Sequence, residues 1–173
     1  FERLQSWGFN FIRLIVTWEA LEHDGPTQYD DEYIRYIREI IIKAKSYGFT
    51  VLIDSHQDVW SRFTGGDGAP LWTLEKVGFN INNFKATNAA LSYNDPNEKI
   101  PTMIWPTNYT KLGSATMFSL FFAGNDFAPK TQIDGIPVQN FLQQHYINAF
   151  VHFICQDHLN GNPVIQCPVL LQL

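Results

Sequence analysis

The feature that most constrains this chain is the run Thr50-Val51-Leu52-Ile53, apolar and β-prone, which turns polar at once into Asp54-Ser55-His56-Gln57-Asp58. A strand buried on both faces reads as a continuous hydrophobic run, and ligands in α/β proteins gather where such strands end. Side chains alternate along a strand, so Asp54, His56 and Asp58 share one face while Ser55 and Gln57 share the other. Three groups able to do chemistry are thereby expected along one wall.

The preceding residues supply the rest of a folding unit. Phe9 to Trp18 reads as a strand, with Phe11, Arg13, Ile15 and Thr17 on one side, Ile12, Leu14, Val16 and Trp18 on the other, and both faces mostly apolar. Gly25-Pro26 breaks the chain. Asp30 or Asp31 is placed to cap a helix running to about Tyr47, with Gly48 as its stop and Ile34, Ile37, Ile41 and Ala44 as its buried stripe. Residues 9 to 58 therefore predict a strand, helix, strand unit with parallel strands and a right-handed crossover.

Beyond it the pattern changes. Residues from about Ser61 to Thr131 are rich in Gly, Asn, Pro and aromatics, with one helix-like apolar segment between Lys111 and Ala123, which suggests a substrate-facing insertion. A second long helix is expected from about Val138 to Leu159, with Leu142, Tyr146, Ala149 and Phe153 at helical spacing. Val164-Ile165 then reads as the start of another strand, interrupted by Gln166-Cys167-Pro168. This is the rhythm of a (β/α) barrel or a doubly wound sheet, but a complete barrel takes about 250 residues and eight units. Fewer than three are legible here, so the expectation is a partial α/β barrel.

Composition excludes some partners. A formal charge of -5, from 12 Lys+Arg against 17 Asp+Glu, and the lack of any basic run argue against nucleic acid. The longest apolar stretch, Ala115 to Ala123, falls far short of the roughly 20 residues that span a bilayer. Cys155 and Cys167 stand in no metal or redox spacing and read as unrelated thiols. No secretory leader is legible, although the sequence opens on Phe1 rather than Met. Gly65-Gly66-Asp67-Gly68 lacks the Lys of a phosphate loop, and no cofactor is expected.

Arg13 lies in an otherwise apolar strand, where a guanidinium needs an acceptor. It either pairs with Asp54 across the strands or holds a catalytic carboxylate ionised, and the spacing does not separate the two readings. Asp54 and Asp58, four extended residues or roughly 13 Å apart, are too distant for a glycosidase pair, which needs about 5–5.5 Å for retention and about 6.5–9.5 Å for inversion. They are expected to bind or position. His56 and Asp58 could share a metal, yet no further His or Cys cluster supplies the remaining ligands, and no metal is expected. His145 and His152, seven apart on a packed helix, receive no function. Asn108-Tyr109-Thr110 is a formal glycosylation sequon of the kind common by chance. Trp60, Phe63, Trp72, Trp105 and Tyr109 in or beside the insertion could stack on a sugar or an apolar aglycone, or could simply anchor the segment.

Three segments resemble glycoside hydrolase family 5: Asn10-Phe11-Ile12-Arg13-Leu14, Val16-Thr17-Trp18-Glu19-Ala20-Leu21-Glu22 and above all Asp54-Ser55-His56-Gln57-Asp58-Val59-Trp60-Ser61. The branch is that of the endoglycoceramidase-related enzymes, particularly fungal glucosylceramidases and steryl β-glucosidases. Trp105-Pro106-Thr107-Asn108-Tyr109, Ala115-Thr116-Met117-Phe118 and Phe121-Phe122-Ala123-Gly124 are similar to that branch too. The resemblance covers residues 1 to about 165 and leaves 166–173 as a divergent tail. It implies roughly strands 2 to 4 of a TIM (β/α)8 barrel, with the insertion after strand 3. It also implies hydrolysis of the β-glucosidic bond of a glycolipid with retention, through two glutamates after the fourth and seventh strands that this sequence does not contain. The chain is therefore expected to be inactive alone. By family position Arg13 supports the nucleophile, His56 and Asp58 contact glucose, and Trp60 and Trp105 line the substrate wall. The resemblance further implies an intracellular location, cytoplasm or vacuole, a peripheral contact with a membrane surface and a monomeric full-length enzyme. The competing expectation is a non-catalytic carbohydrate-binding or regulatory remnant of the same barrel. An unrelated α/β hydrolase is disfavoured because no Gly-x-Ser-x-Gly elbow occurs.

Overall fold

The structure is a computed structural model that describes residues 1–92 and 105–159, with side chains through Cys155. The expected strand at Val164-Ile165, the tail 166–173 and Cys167 lie outside the described residues. After a short helix α1 (Glu2–Ser6), strand β1 (Phe11–Thr17) pairs in parallel with β2 (Thr50–His56), and helix α3 (Asp31–Ser46) crosses between them. The register sets Ile15 opposite Asp54 and Thr17 opposite His56. The Asp30 carboxylate accepts from the Tyr33 amide at 2.8 Å, Asp31 and Glu32 sit in the first turn of α3, and Lys43 and Lys45 sit in its last. Each charge is on the side that the helix dipole favours. Gly48 then takes φ +80°, the left-handed conformation that ends the helix at little cost.

β1 is shorter than its apolar pattern. The Thr17 hydroxyl accepts from the Ala20 amide and caps the single turn α2 (Trp18–Leu21), which turns Trp18 into the core instead of extending the strand. The expectation that both sheet faces are covered holds for one face. Ile12, Leu14, Val16, Val51 and Ile53 lie under helices, whereas Phe11 is 54% exposed, Ile15 49% and Leu52 51%. That second face would look into the interior of a closed barrel, and no described element packs across it.

The described part of the insertion contains α4 (Leu71–Lys76), α5 (Phe84–Thr87), α6 (Trp105–Asn108) and α7 (Leu112–Phe127), and a hairpin of β3 (Gln132–Ile133) and β4 (Ile136–Pro137) follows it. The hairpin turns on Asp134-Gly135, both at positive φ. Asp-Gly between apolar residues is a strong short-range hairpin signal, and it was the legible cue for this element. α8 (Val138–Leu159) follows and packs along α7, with Gly124 allowing the approach: a Cβ there would stand 3.0 Å from the Val138 side chain. The sequon asparagine is a structural residue. Asn108 is buried, accepts from the Leu91 amide at 2.8 Å and donates to the Leu91 carbonyl at 2.7 Å, so its amide is turned into the protein and not presented to solvent.

The core gathers Val16, Trp18, Leu21, Trp60, Trp72, Met117, Phe121 and Leu142 between the covered face of the sheet, the insertion and α8. Leu142→Ala is expected to lower stability by about 2–5 kcal/mol, as large-to-small core changes do, in urea unfolding. The paired change Phe11→Ser and Leu52→Ser is expected to reduce concentration-dependent light scattering of this chain while leaving its thermal midpoint nearly unmoved.

Candidate active site

The polar end of β2 forms a chain of contacts. Arg13 Nη2 meets Asp54 Oδ2 at 2.7 Å, the same oxygen lies 3.0 Å from His56 Nδ1, and His56 Nε2 lies 3.4 Å from Asp58 Oδ2. Arg13 thus makes the ion pair with Asp54 that one of its two readings expects. Asp54 and Asp58 both touch one imidazole, so their carboxylates lean together across His56 and approach far closer than the roughly 13 Å of extended backbone between them. The difference arises because β2 ends at His56 and Asp58 has already turned into the following loop.

That loop brings in a residue that sequence reasoning passed over. Asp58 and Asp67 exchange backbone hydrogen bonds, 3.1 Å from the Asp58 amide and 2.9 Å from the Asp67 amide, and Asp67 Oδ1 reaches within 3.9 Å of His56 Nε2. The reversal passes through Val59 at φ +40° and Trp60 at φ +79°, a conformation costly for a β-branched residue. Surrounding bonds hold it: Thr64 Oγ1 donates to the Val59 carbonyl at 2.6 Å, while Gln57 Nε2 donates to the carbonyls of Trp60 at 2.7 Å and Asp67 at 3.3 Å. Gly66 is required, since a Cβ there would fall 2.0 Å from the Asp58 carbonyl oxygen. The Gly65-Gly66-Asp67-Gly68 segment is thus a strap folded against the strand end, and its glycines were the signal for that close approach.

Electrostatics follow from the three carboxylates. Burial pulls the His56 pKa down, but the hydrogen bond to Asp54 and the charges of Asp67, Asp54 and Asp58 outweigh it and raise the net value above the ordinary 6.5. Asp67 is pushed up, chiefly by burial and further by Asp58 and Asp54, against the pull of His56. His56, Asp58 and Asp67 offer three ligand atoms within 4.8 Å of one another, so a carboxylate supplies the third donor that no His or Cys provides.

This arrangement suits recognition of hydroxyl groups. An imidazole fixed by Asp54 beside the acceptor Asp58 offers a donor and an acceptor within reach of neighbouring hydroxyls on a sugar ring. Arg13 stays largely exposed on the same side. The Trp60 ring does not join this cluster. Trp60 is buried on the covered side, donates from Nε1 to Thr73 Oγ1 at 3.0 Å and packs edge-on against Trp18, Phe118 and Phe121. Trp105 lies in α6 against Tyr109, ring centroids 5.9 Å apart.

The family model that matches is "Cellulase (glycosyl hydrolase family 5)", over residues 1–107. The chain belongs to glycosyl hydrolase family 5. It is 54% identical to a glucosylceramidase of Aspergillus fumigatus, over 94% of this chain and 22% of that protein. It is 49% identical to an ergosteryl-beta-glucosidase of Saccharomyces cerevisiae, over 86% of this chain and 21% of that one. The crystal structure of Cryptococcus neoformans sterylglucosidase 1 superposes with a TM-score of 0.89 at 44% identity, covering 94% of this chain and 23% of that one. Endo-glycoceramidase II from Rhodococcus sp., at 22% identity and a TM-score of 0.63, shares the fold. The family 5 chain described here thus spans about a fifth of the length of these glucosidase relatives, and its two strands and crossover helix are part of a TIM barrel.

Two histidines given no function are structural. His145 Nδ1 lies 3.3 Å from Glu22 Oε1, and His152 Nε2 lies 2.9 Å from Asp31 Oδ1 with its ring stacked on Tyr29 at 4.1 Å. Glu22 itself is fully buried, and its carboxylate also accepts from Trp18 Nε1 at 2.6 Å and the Thr27 amide at 2.5 Å. Burial raises its pKa despite these donors.

Two titrations test these environments. The NMR midpoint of His56 is expected above 6.5 and should fall in Asp54→Asn; its folded-state pKa is raised, so the stability it contributes is full below pH 6.5 and fades as pH rises through the folded value. Glu22 is also raised, so Glu22→Gln should flatten the loss of stability that the parent chain shows as pH climbs upward from about 4.5, read by denaturation at fixed salt.

Proposed function

We propose that this chain supplies the glucose-binding wall of a retaining β-glucosidase that acts on lipid glucosides, glucosylceramide or a steryl glucoside. The single observation that carries this reading is His56 held between Asp54 and Asp58 at the open end of β2, in a chain whose family 5 relatives are named for glucoside hydrolysis. His56 and Asp58 bind ring hydroxyls. Arg13 acts as a positioning residue: it neutralises Asp54, which in turn fixes the imidazole.

Retention requires two carboxyl groups about 5–5.5 Å apart, one as acid/base and one as nucleophile. The described glutamates nearest the site do not offer such a pair, since Glu19 is committed to Arg62 at 2.7 Å and Glu22 is sealed in the core. The chain alone is therefore proposed to bind glucose and to lack turnover, with the acid/base and the nucleophile contributed by further barrel strands.

The test has two parts. This chain alone should release no fluorophore from a β-glucoside above a blank, and turnover would overturn the division of labour. In the longest polypeptide that contains the chain, Asp58→Asn and His56→Ala should each lower kcat/KM by about 10- to 100-fold, the loss of one hydrogen bond to a charged group at about 1.5–3 kcal/mol. Unchanged kcat/KM in both would sink the assignment of the wall.

A further inference from the structure

Asp67 is the group at the sugar wall whose presence the fold does not account for. It stands directly opposite Asp58 in an antiparallel bridge, so the two side chains leave the backbone on the same side. Like charges at directly opposite positions destabilise such a pair. Both carboxylates face one imidazole nitrogen, with Asp58 Oδ2 3.4 Å and Asp67 Oδ1 3.9 Å from His56 Nε2.

Other carboxylates at these strand ends find a cation at short range, Asp54 with Arg13 at 2.7 Å and Glu19 with Arg62 at 2.7 Å. Asp67 Oδ1 is different: it is shut off from solvent and has no hydrogen-bond partner among the described residues. Its 3.9 Å to His56 is beyond hydrogen-bond range, and a buried acceptor left without a donor is costly. The side chain as a whole is nevertheless 46% exposed. Rotation about the terminal bond of an aspartate is soft, so a donor entering from the open side can meet either oxygen.

With His56 Nδ1 committed to Asp54, Nε2 is left between two acceptors, and one ligand atom from each of the three residues lies within 4.8 Å of the others. A hydroxyl donates one hydrogen bond and accepts others. Two hydroxyls on neighbouring ring carbons answer this arrangement: each donates to its own carboxylate, and the imidazole stands between them. We propose that Asp67 is a third sugar-binding residue of this wall, accepting from the hydroxyl next to the one that Asp58 holds, so that the two carboxylates together select a glycoside whose 3- and 4-hydroxyls are both equatorial. The proposal rests on the glucose-wall reading above. In a retaining glycosidase the 2-hydroxyl makes its hydrogen bonds beside the reacting carbon, which leaves carbons 3 and 4 as the adjacent pair for a wall of this kind. An axial hydroxyl at either carbon strands one carboxylate without its donor, and a site built to bond a hydroxyl rejects a sugar that cannot supply it.

The test measures kcat/KM in the longest polypeptide containing this chain, on a fluorogenic β-glucoside and its 3-deoxy, 4-deoxy and 6-deoxy analogues. Asp67→Asn keeps the shape of the side chain and the backbone exchange with Asp58. It should lower kcat/KM on the intact glucoside by about 10- to 100-fold, yet cause no further loss on one of the 3-deoxy and 4-deoxy analogues. Asp58→Asn should be silent on the other, and the 6-deoxy analogue should remain sensitive to both variants. A misfolded fraction lowers all four substrates alike, so the selective silence reads contact with the sugar and not folding. Unchanged kcat/KM of Asp67→Asn on the intact glucoside, an equal loss on all four substrates, or both variants silent on the same analogue would each overturn the proposal. Losses in Asp58→Asn and His56→Ala with none in Asp67→Asn remove this inference alone, whereas no loss in any of the three removes the wall reading with it.

Discussion

The parallel register of β1 and β2 is the constraint on which the rest of the structure depends. Setting Ile15 opposite Asp54 leaves Arg13 and Asp54 on one face near enough to pair, and Asp54 then fixes the imidazole two residues further on. If β2 slipped by one residue past β1, Arg13 would keep its face while Asp54 turned to the other, among the apolar side chains under α3, and the pair would be lost. In the interior of a closed barrel a guanidinium and a carboxylate are tolerated only together, so the pair that positions His56 is also the pair that such an interior demands.

A second polar knot holds the covered side. The Glu22 carboxylate takes donors from Trp18 and Thr27 and meets His145 Nδ1 at 3.3 Å, and its backbone carbonyl accepts from Trp72 Nε1 at 2.7 Å. These bonds tie α2, α4 and α8 together, and the rings they orient pack edge-to-face, Trp18 against Trp72 at 5.4 Å and against Tyr146 at 5.6 Å. A buried acid is costly unless its oxygens are satisfied, and here it makes each of those elements necessary to the others. The strap from Val59 to Gly68 rests on this base, which explains how two non-glycine residues are held at positive φ directly beside the site.

Much of this was legible in the residues. The cap, stripe and stop of α3, the extent of α8 and the placing of Asp54 and His56 on one face of β2 all follow from local chemistry and periodicity. The reading failed where contacts between distant segments decide. Asp67 is nine residues from Asp58 and joins the site only through a backbone exchange that Gly66 permits. α4 and α5 are too short for periodicity to announce, and their stability comes from packing. Trp60 sits two residues from Asp58 in sequence, yet the left-handed turn at Val59 and Trp60 sends its ring into the core.

The sequence by itself determined the strand, helix, strand unit, the family and the identity of the polar groups at the end of β2, because each is set by neighbours within a turn or two and by side-chain alternation. Only the tertiary structure decided that Asp54 and Asp58 converge on one imidazole, that Asp67 joins them, and that Glu22 is sealed among tryptophans. It also decided which aromatics face inward and which stand in solvent. Those outcomes depend on how the strap and the insertion fold back over the strand ends, and closure over such distances is governed by packing and hydrogen-bond satisfaction that no local pattern encodes.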